Sequence, residues 1–219
     1  MKLVKIIVLT TLLLTLTTLT KVYAAGVAYG TPEQYHMNFL SFSQSTDSGD
    51  TWVVFFESDD NYIDLASDTA PGELADIVPG DIPAGSYDMF RSVISSIFKI
   101  KGAILYEVGE DEYIFYTTSS GTGYVEASGE YEDLEDFYND PPDDYALLTI
   151  QPPTTEDTMT TIMDDDLEII DGQAYTEPVY VTVEDSIELV KTSGPPGPGD
   201  PDNYTLYPNS NVTISGEPI

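Results

Sequence analysis

One local pattern recurs along most of the chain: short β-branched and aromatic runs, each closed by a cluster of Gly, Pro, Asp or Ser. Residues 51–57 read Thr-Trp-Val-Val-Phe-Phe-Glu and residues 112–118 read Glu-Tyr-Ile-Phe-Tyr-Thr-Thr. Such side chains suit a pleated, half-buried surface, and runs of this length between turn residues read as strands. Residues 35–43 alternate and, across the polar turn 45–50, predict a hairpin with 51–57. Residues 62–65 form a further short strand. Residues 86–94 fit a strand or an amphipathic helix; Gly85 before them and the β-branched residues after them favour a strand. Residues 98–106, 124–127, 145–150, 160–163, 167–170, 179–183 and 187–190 continue the series. Two stretches depart from it. Residues 73–78 predict one helical turn within a Pro/Gly-punctuated loop over 67–85. Residues 130–138 predict a short helix with Leu134, Phe137 and Tyr138 on one side, stopped by Asn139-Asp140-Pro141-Pro142. The expected fold is mainly β, an antiparallel β-sandwich with at most one or two short helices.

The N-terminus reads differently. Lys2 and Lys5 precede an uncharged run over 6–19, and Val22 and Ala24 satisfy the small-residue rule for cleavage after Ala24. This is the pattern of a secretory signal peptide. The run is shorter than the ~20 apolar residues that span a bilayer. The expected organisation is therefore a signal peptide over 1–24 and a β-sandwich domain over 25–192, with a subdivision near 120–145 as an alternative. A Pro/Gly linker over 193–203 then leads to a tail over 204–219 with one short strand at 211–215. Secretion to the extracellular space or periplasm follows, with no membrane span after cleavage. The chain has no cysteine, so neither disulfides nor thiolate chemistry enter.

Charge excludes whole classes of partner. The sequence holds 39 Asp and Glu against 7 Lys and Arg, a formal net charge of −32. Beyond residue 24 the only cations are Arg91, Lys99, Lys101 and Lys191. Nucleic-acid binding needs the opposite sign and is excluded, and anionic membrane surfaces repel the chain. The excess suits either a saline habitat or a cation-binding surface. It does not imply disorder, because 16 Tyr and 8 Phe are interleaved with the acids and acidic disordered chains are poor in aromatics.

Catalytic and metal-ligating patterns are sparse. His36 is the only histidine and would have to serve any Ser-His-Asp relay; no Gly-x-Ser-x-Gly accompanies it. Carboxylate pairs for glycoside hydrolysis are too numerous to single one out. Zinc and copper lack ligands. Calcium takes loop oxygens, and three clusters could offer them: Asp59-Asp60-Asn61, Asp164-Asp165-Asp166 and Asp200-Pro201-Asp202-Asn203. None has EF-hand spacing. Asn203 and Asn211 head N-glycosylation sequons. No catalytic or metal-binding residue is assigned; no cofactor is required and Ca²⁺ is the one ion the loops suit.

The most distinctive segment is Gly80-Asp81-Ile82-Pro83-Ala84-Gly85-Ser86-Tyr87-Asp88-Met89-Phe90-Arg91. Pro83 sets a turn, Gly85 permits positive φ, and Tyr87 packs inward as the strand begins. It resembles the apolar-Pro-x-Gly-x-Tyr element of transthyretin-like and Cna-B-type β-sandwiches, and more closely that of secreted bacterial domains with this architecture. The similarity covers roughly 35–102. It implies a transthyretin- or immunoglobulin-like sandwich serving as a surface, adhesive or scaffold module. The Lys/Asn pattern of an isopeptide cross-link is absent. The expected function is non-enzymatic, in a cell-surface or extracellular assembly with a protein or glycan partner, or with further copies through edge strands. The alternatives are a calcium- or glycan-binding module and a carboxylate-based glycoside hydrolase.

Overall fold

The computed structural model describes residues 12–13, 27–66, 83–151, 156–169, 180–193, 200–209 and 212–215. The expected cleavage site, the helical turn at 73–78 and the sequon at Asn211 lie outside them. In chain order the strands are β1 (Leu12–Leu13), β2 (Ala28–Gly30), β3 (Gln34–Ser45), β4 (Val53–Glu57), β5 (Tyr62–Asp64), β6 (Gly85–Lys101), β7 (Ala103–Val108), β8 (Asp111–Thr118) and β9 (Gly121–Glu126). Helix α1 (Leu134–Asn139) precedes β10 (Leu148–Ile150), β11 (Thr158–Ile169), β12 (Tyr180–Thr182), β13 (Ile187–Lys191), β14 (Tyr204–Pro208) and β15 (Thr213–Ser215). The described chain is mainly β with antiparallel pairing throughout and one α-helix.

The seventeen-residue β6 is the spine. It pairs with β3 on one side and with β10 and β11 on the other, while β4 and β5 pair with the far side of β3. Met37, Phe39, Phe42, Ile94, Phe98 and Ile100 form its buried inner face. Two three-stranded sheets, β7-β8-β9 and β14-β13-β2, supply the opposing layer. They approach at both edges: Gly30 of β2 lies against Ile104 of β7, and the Leu206 N–H of β14 donates to Thr122 Oγ1 of β9 at 2.8 Å. Ile104, Phe115, Ile187, Leu189 and Leu206 join the same core. β12, β15 and β1 form a further small sheet.

Strand β8 is buried on both faces. Phe115 faces the main core, whereas Ile114 and Tyr116 pack with Phe137 of α1 in a second cluster. This explains its continuous apolar run, which half-buried alternation would not produce. Helix α1 is shorter than the expected 130–138. It starts where the Asp133 carboxylate accepts the Asp136 N–H at 2.9 Å, an N-cap that satisfies one orphan donor of the first turn.

Three boundaries differ from the sequence expectation. The expected strands 86–94 and 98–106 are redistributed: β6 runs on through Ser95, whose hydroxyl accepts the Ile97 N–H at 3.0 Å at a bulge. The break falls instead at Gly102. Its N–H donates to Thr117 Oγ1 at 3.2 Å and its carbonyl accepts the Thr117 N–H at 3.1 Å. A Cβ there would lie 2.8 Å from Ile187 Cδ1 and 3.0 Å from Pro32 Cα, so a side chain would crowd both neighbours where the chain passes between layers. The strands expected at 160–163 and 167–170 are one strand, β11, with a register shift between Asp164 and Leu167.

The expected linker and tail are also part of the fold. β13 and β14 make an antiparallel hairpin in which Lys191 faces Tyr204, and the Thr192 N–H donates to the Asn203 carbonyl at 2.8 Å. Tyr204 and Leu206 are buried in the core. Residues 193–203 thus connect two paired strands. Among the described residues no helix is long and apolar enough to cross a membrane.

Candidate functional site

Side chains alternate across a strand. Because Ile94, Phe98 and Ile100 face the core, Arg91, Val93, Ile97, Lys99 and Lys101 fall on the opposite, outer face of the long sheet. The register carries this face across four strands. One row is Ile162–Arg91–Ser43–Val54, from β11 through β6 and β3 to β4; another is Thr149–Lys99–His36–Asp64, from β10 to β5. Ile162, Val54 and Ile97 are 53%, 50% and 37% exposed. Three of the four cations beyond residue 24 and the only histidine therefore share one face with exposed aliphatic side chains.

Aromatic rings hold these cations in place. The Arg91 guanidinium carbon lies 4.5 Å from the Trp52 ring centroid, and its Nε donates to Ser43 Oγ at 2.9 Å. Lys99 Nζ lies 3.5 Å from the Tyr62 centroid. Lys101 Nζ lies 4.3 Å from the Tyr145 centroid and 3.2 Å from Glu33 Oε2, which also accepts the Tyr145 hydroxyl at 2.9 Å. Neither Arg91 nor Lys99 forms an ion pair among the described residues. A cation over a ring is attracted by the ring quadrupole, by ~0.5–1 kcal/mol at exposed sites. Its N–H groups away from the ring remain available to an incoming acceptor. Burial, then Tyr138 and Glu33, push the Tyr145 hydroxyl above its ordinary range; burial and then Asp60 push Tyr62 up. Both rings stay neutral platforms at neutral pH.

His36 sits in this face with Nε2 3.8 Å from Asp64 Oδ2. The other Asp64 oxygen accepts the Tyr35 and Ala66 N–H groups at 3.0 and 3.1 Å. Among the described residues His36 Nε2 has no hydrogen-bond partner, so neither an orienting carboxylate bond nor an aligned nucleophile is present there. No protein-family model, curated protein or solved structure matches the chain.

The acidic clusters are separated in the fold. Asp59, Asp60 and Asn61 form the β4–β5 turn, pinned to β3 by the Asn61 N–H to Asn38 Oδ1 bond at 2.8 Å. Asp164 opens the β11 register shift; the side chains of Asp165 and Asp166 lie outside the description. Asp200 caps the 3₁₀ turn Pro201–Asn203 by accepting the Asp202 N–H at 3.1 Å, and the Asp202 carboxylate pushes the Tyr124 hydroxyl above its ordinary range. Asn203 Oδ1 accepts the Ser193 hydroxyl. Among the described residues no group of three or more His, Asp or Glu could hold a metal ion.

Two other features stand apart from this face. A cavity of about 350 Å³ opens between β2, β7 and α1, walled by Tyr29, Leu105, Leu134 and Tyr138. The Tyr138 hydroxyl already accepts the Ala103 N–H at 3.3 Å. Nearby, Glu188 of β13 is registered between Tyr29 and Tyr207, and burial raises its carboxyl above the ordinary range. The sequence reading treated Arg91, Lys99 and Lys101 only as charges. Their odd-numbered spacing on one strand was the available signal for a shared face.

Proposed function

We propose that the chain is a secreted, non-enzymatic β-sandwich module of a cell-surface or extracellular assembly, making its contacts through the outer face of the long sheet. The observation that carries this reading is the row Ile162–Arg91–Ser43–Val54, with Ile97 and Lys99 beside it: exposed aliphatic side chains around cations held on aromatic rings. Interface cores combine apolar burial with arginine and aromatic anchors. The leader pattern over 1–24 and the likeness of 80–91 to surface and scaffold modules support it further. Concentration-series light scattering, with capture from culture supernatant on immobilised protein, tests it. The expected result is an apparent mass that rises with concentration, or a captured partner, lost in both cases in Ile97→Glu. A strict monomer that captures nothing refutes it.

A second reading, a glycan-binding module, draws on the Tyr29–Glu188–Tyr207 row beside the cavity. Aromatic faces with an adjacent acceptor suit sugar rings. A blank glycan array removes it.

A further inference from the structure

We infer that the cavity between β2, β7 and α1 is a binding site for a small uncharged aromatic molecule that carries a hydroxyl group, with the Tyr138 hydroxyl as its polar partner. The inference goes beyond the assembly reading and does not depend on it.

The cavity follows from how α1 is fastened. Phe137 is fully buried in the second cluster and holds the helix against β7 and β8. Leu134 and Tyr138, one helical turn apart, share a face of α1 and form one wall. Tyr29 of β2 and Leu105 of β7 supply the strand side. Space remains between them because Gly30 has no side chain and Ala103 only a methyl group. A larger residue at Gly30 is opposed by Ile104, whose Cγ1 would lie 2.8 Å from the new Cβ.

Size and lining select the ligand. The space measures about 350 Å³, whereas apolar cavities of ~150 Å³ already hold a benzene-sized ring. Its walls are mainly aromatic and aliphatic with few polar groups, the usual make-up of a small-molecule site. Tyr29 and Tyr138 bring aromatic rings from separate elements, so a ring between them can stack or meet them edge-on. Among the described residues no charged side chain lines the cavity, so an ionised ligand would be desolvated there without a counter-charge. The side-chain hydroxyls on the wall are those of Thr31 and Tyr138. Each accepts a backbone N–H, from Asp185 at 3.2 Å and from Ala103 at 3.3 Å respectively. A hydroxyl has more than one hydrogen-bonding position. Tyr138 is half-buried where Thr31 is exposed, so Tyr138 is the hydroxyl that a seated ligand meets away from water. A sugar ring in the cavity, with hydroxyls all round, would leave most of them unpaired against Leu105 and Leu134.

Amide-resolved NMR titrations of the isotope-labelled full chain test this, with p-cresol, toluene and methyl β-glucoside as probes. They are run on wild type, on Tyr138→Phe and on Leu134→Trp, whose larger side chain fills the space. Melting curves confirm that each variant folds, and Leu134→Trp carries the test should Tyr138→Phe not fold. The expected result is a saturable shift of the Gly30, Thr31 and Ala103 amides with p-cresol. Tyr138→Phe weakens p-cresol roughly two- to tenfold, the worth of one neutral hydrogen bond, and leaves toluene within about twofold. Leu134→Trp abolishes both. No saturable shift at these amides, a Tyr138→Phe protein that treats p-cresol and toluene alike, or undiminished binding in Leu134→Trp overturns the inference. Tighter binding of the glucoside than of p-cresol at the same amides also overturns it, and favours the glycan reading instead.

Discussion

Replacing Gly102 by alanine probes the joint on which the candidate face depends. Gly102 ends β6 and releases the chain into β7 of the opposing layer. It is not among the glycines with positive φ, so alanine fits the backbone, and the lower entropy of the unfolded chain favours it by ~0.4–1 kcal/mol. Packing opposes the change. The new Cβ would lie 2.8 Å from Ile187 Cδ1, which can move, and 3.0 Å from Pro32 Cα, which is backbone. Overpacking of this kind costs ~1–3 kcal/mol, so the packing effect outweighs the entropic one. A net loss of about 1–2 kcal/mol follows, or roughly 2–8 °C in Tm at 2–4 °C per kcal/mol for this chain length. Ile187→Val removes Cδ1 at a cost of ~0.5–1.5 kcal/mol on its own. In the Gly102→Ala background it relieves the nearer clash, so the double variant loses less than the sum, by at least ~0.5 kcal/mol. Urea unfolding of the four proteins measures the cycle. A neutral or stabilising Gly102→Ala, or strict additivity, would refute the assignment of this glycine to interlayer packing.

Three further predictions follow from the geometry. Tyr87→Phe deletes a hydroxyl that donates to the Pro83 carbonyl at 2.7 Å; because Pro83 is exposed, chemical denaturation reports a loss near the low end of ~0.5–1.5 kcal/mol. Glu188 has a carboxyl raised by burial, so the folded state binds its proton more tightly and stability falls as pH rises from the unfolded value through the raised one. Glu188→Gln therefore raises Tm at pH 7 and loses that advantage well below about pH 4, as paired thermal melts show. With a net charge of −32, sodium chloride raises Tm gradually as the Debye length falls from ~10 Å at 0.1 M to ~3 Å at 1 M; a flat salt response would remove self-repulsion as a factor in stability.

Most strands were legible because their signal is local. Residues 112–118 announce β8 by composition alone, and 35–43 with 51–57 announce the β3–β4 hairpin. The misplaced boundaries are those decided by distant contacts. Nothing near Gly102 in sequence reveals that Pro32 and Ile187 crowd it. The five residues Tyr-Thr-Leu-Tyr-Pro of β14 alternate, but they follow a Pro/Gly run that reads as a linker. Only the pairing with β13 shows that run to be a connection within a hairpin. The candidate face was half legible: the alternation of Arg91, Lys99 and Lys101 could be read, whereas Trp52 and Tyr62 reach them only through the register of β3 with β4 and β5.

The same imbalance that makes the chain so acidic gives its few cations weight on the proposed contact surface. Seven Lys and Arg cannot neutralise 39 Asp and Glu, so the surface potential varies with where the few cations stand. If Arg91 and Lys99 were spent on ion pairs, exposed pairs would return only ~0.2–1 kcal/mol each, and every face would carry one sign. Held on Trp52 and Tyr62 instead, they set positive charge among the carboxylates of Glu57, Asp64 and Asp164 on the outer face of the long sheet. A net charge that keeps the molecule apart from others in solution is thus locally offset on the face proposed to make its contacts.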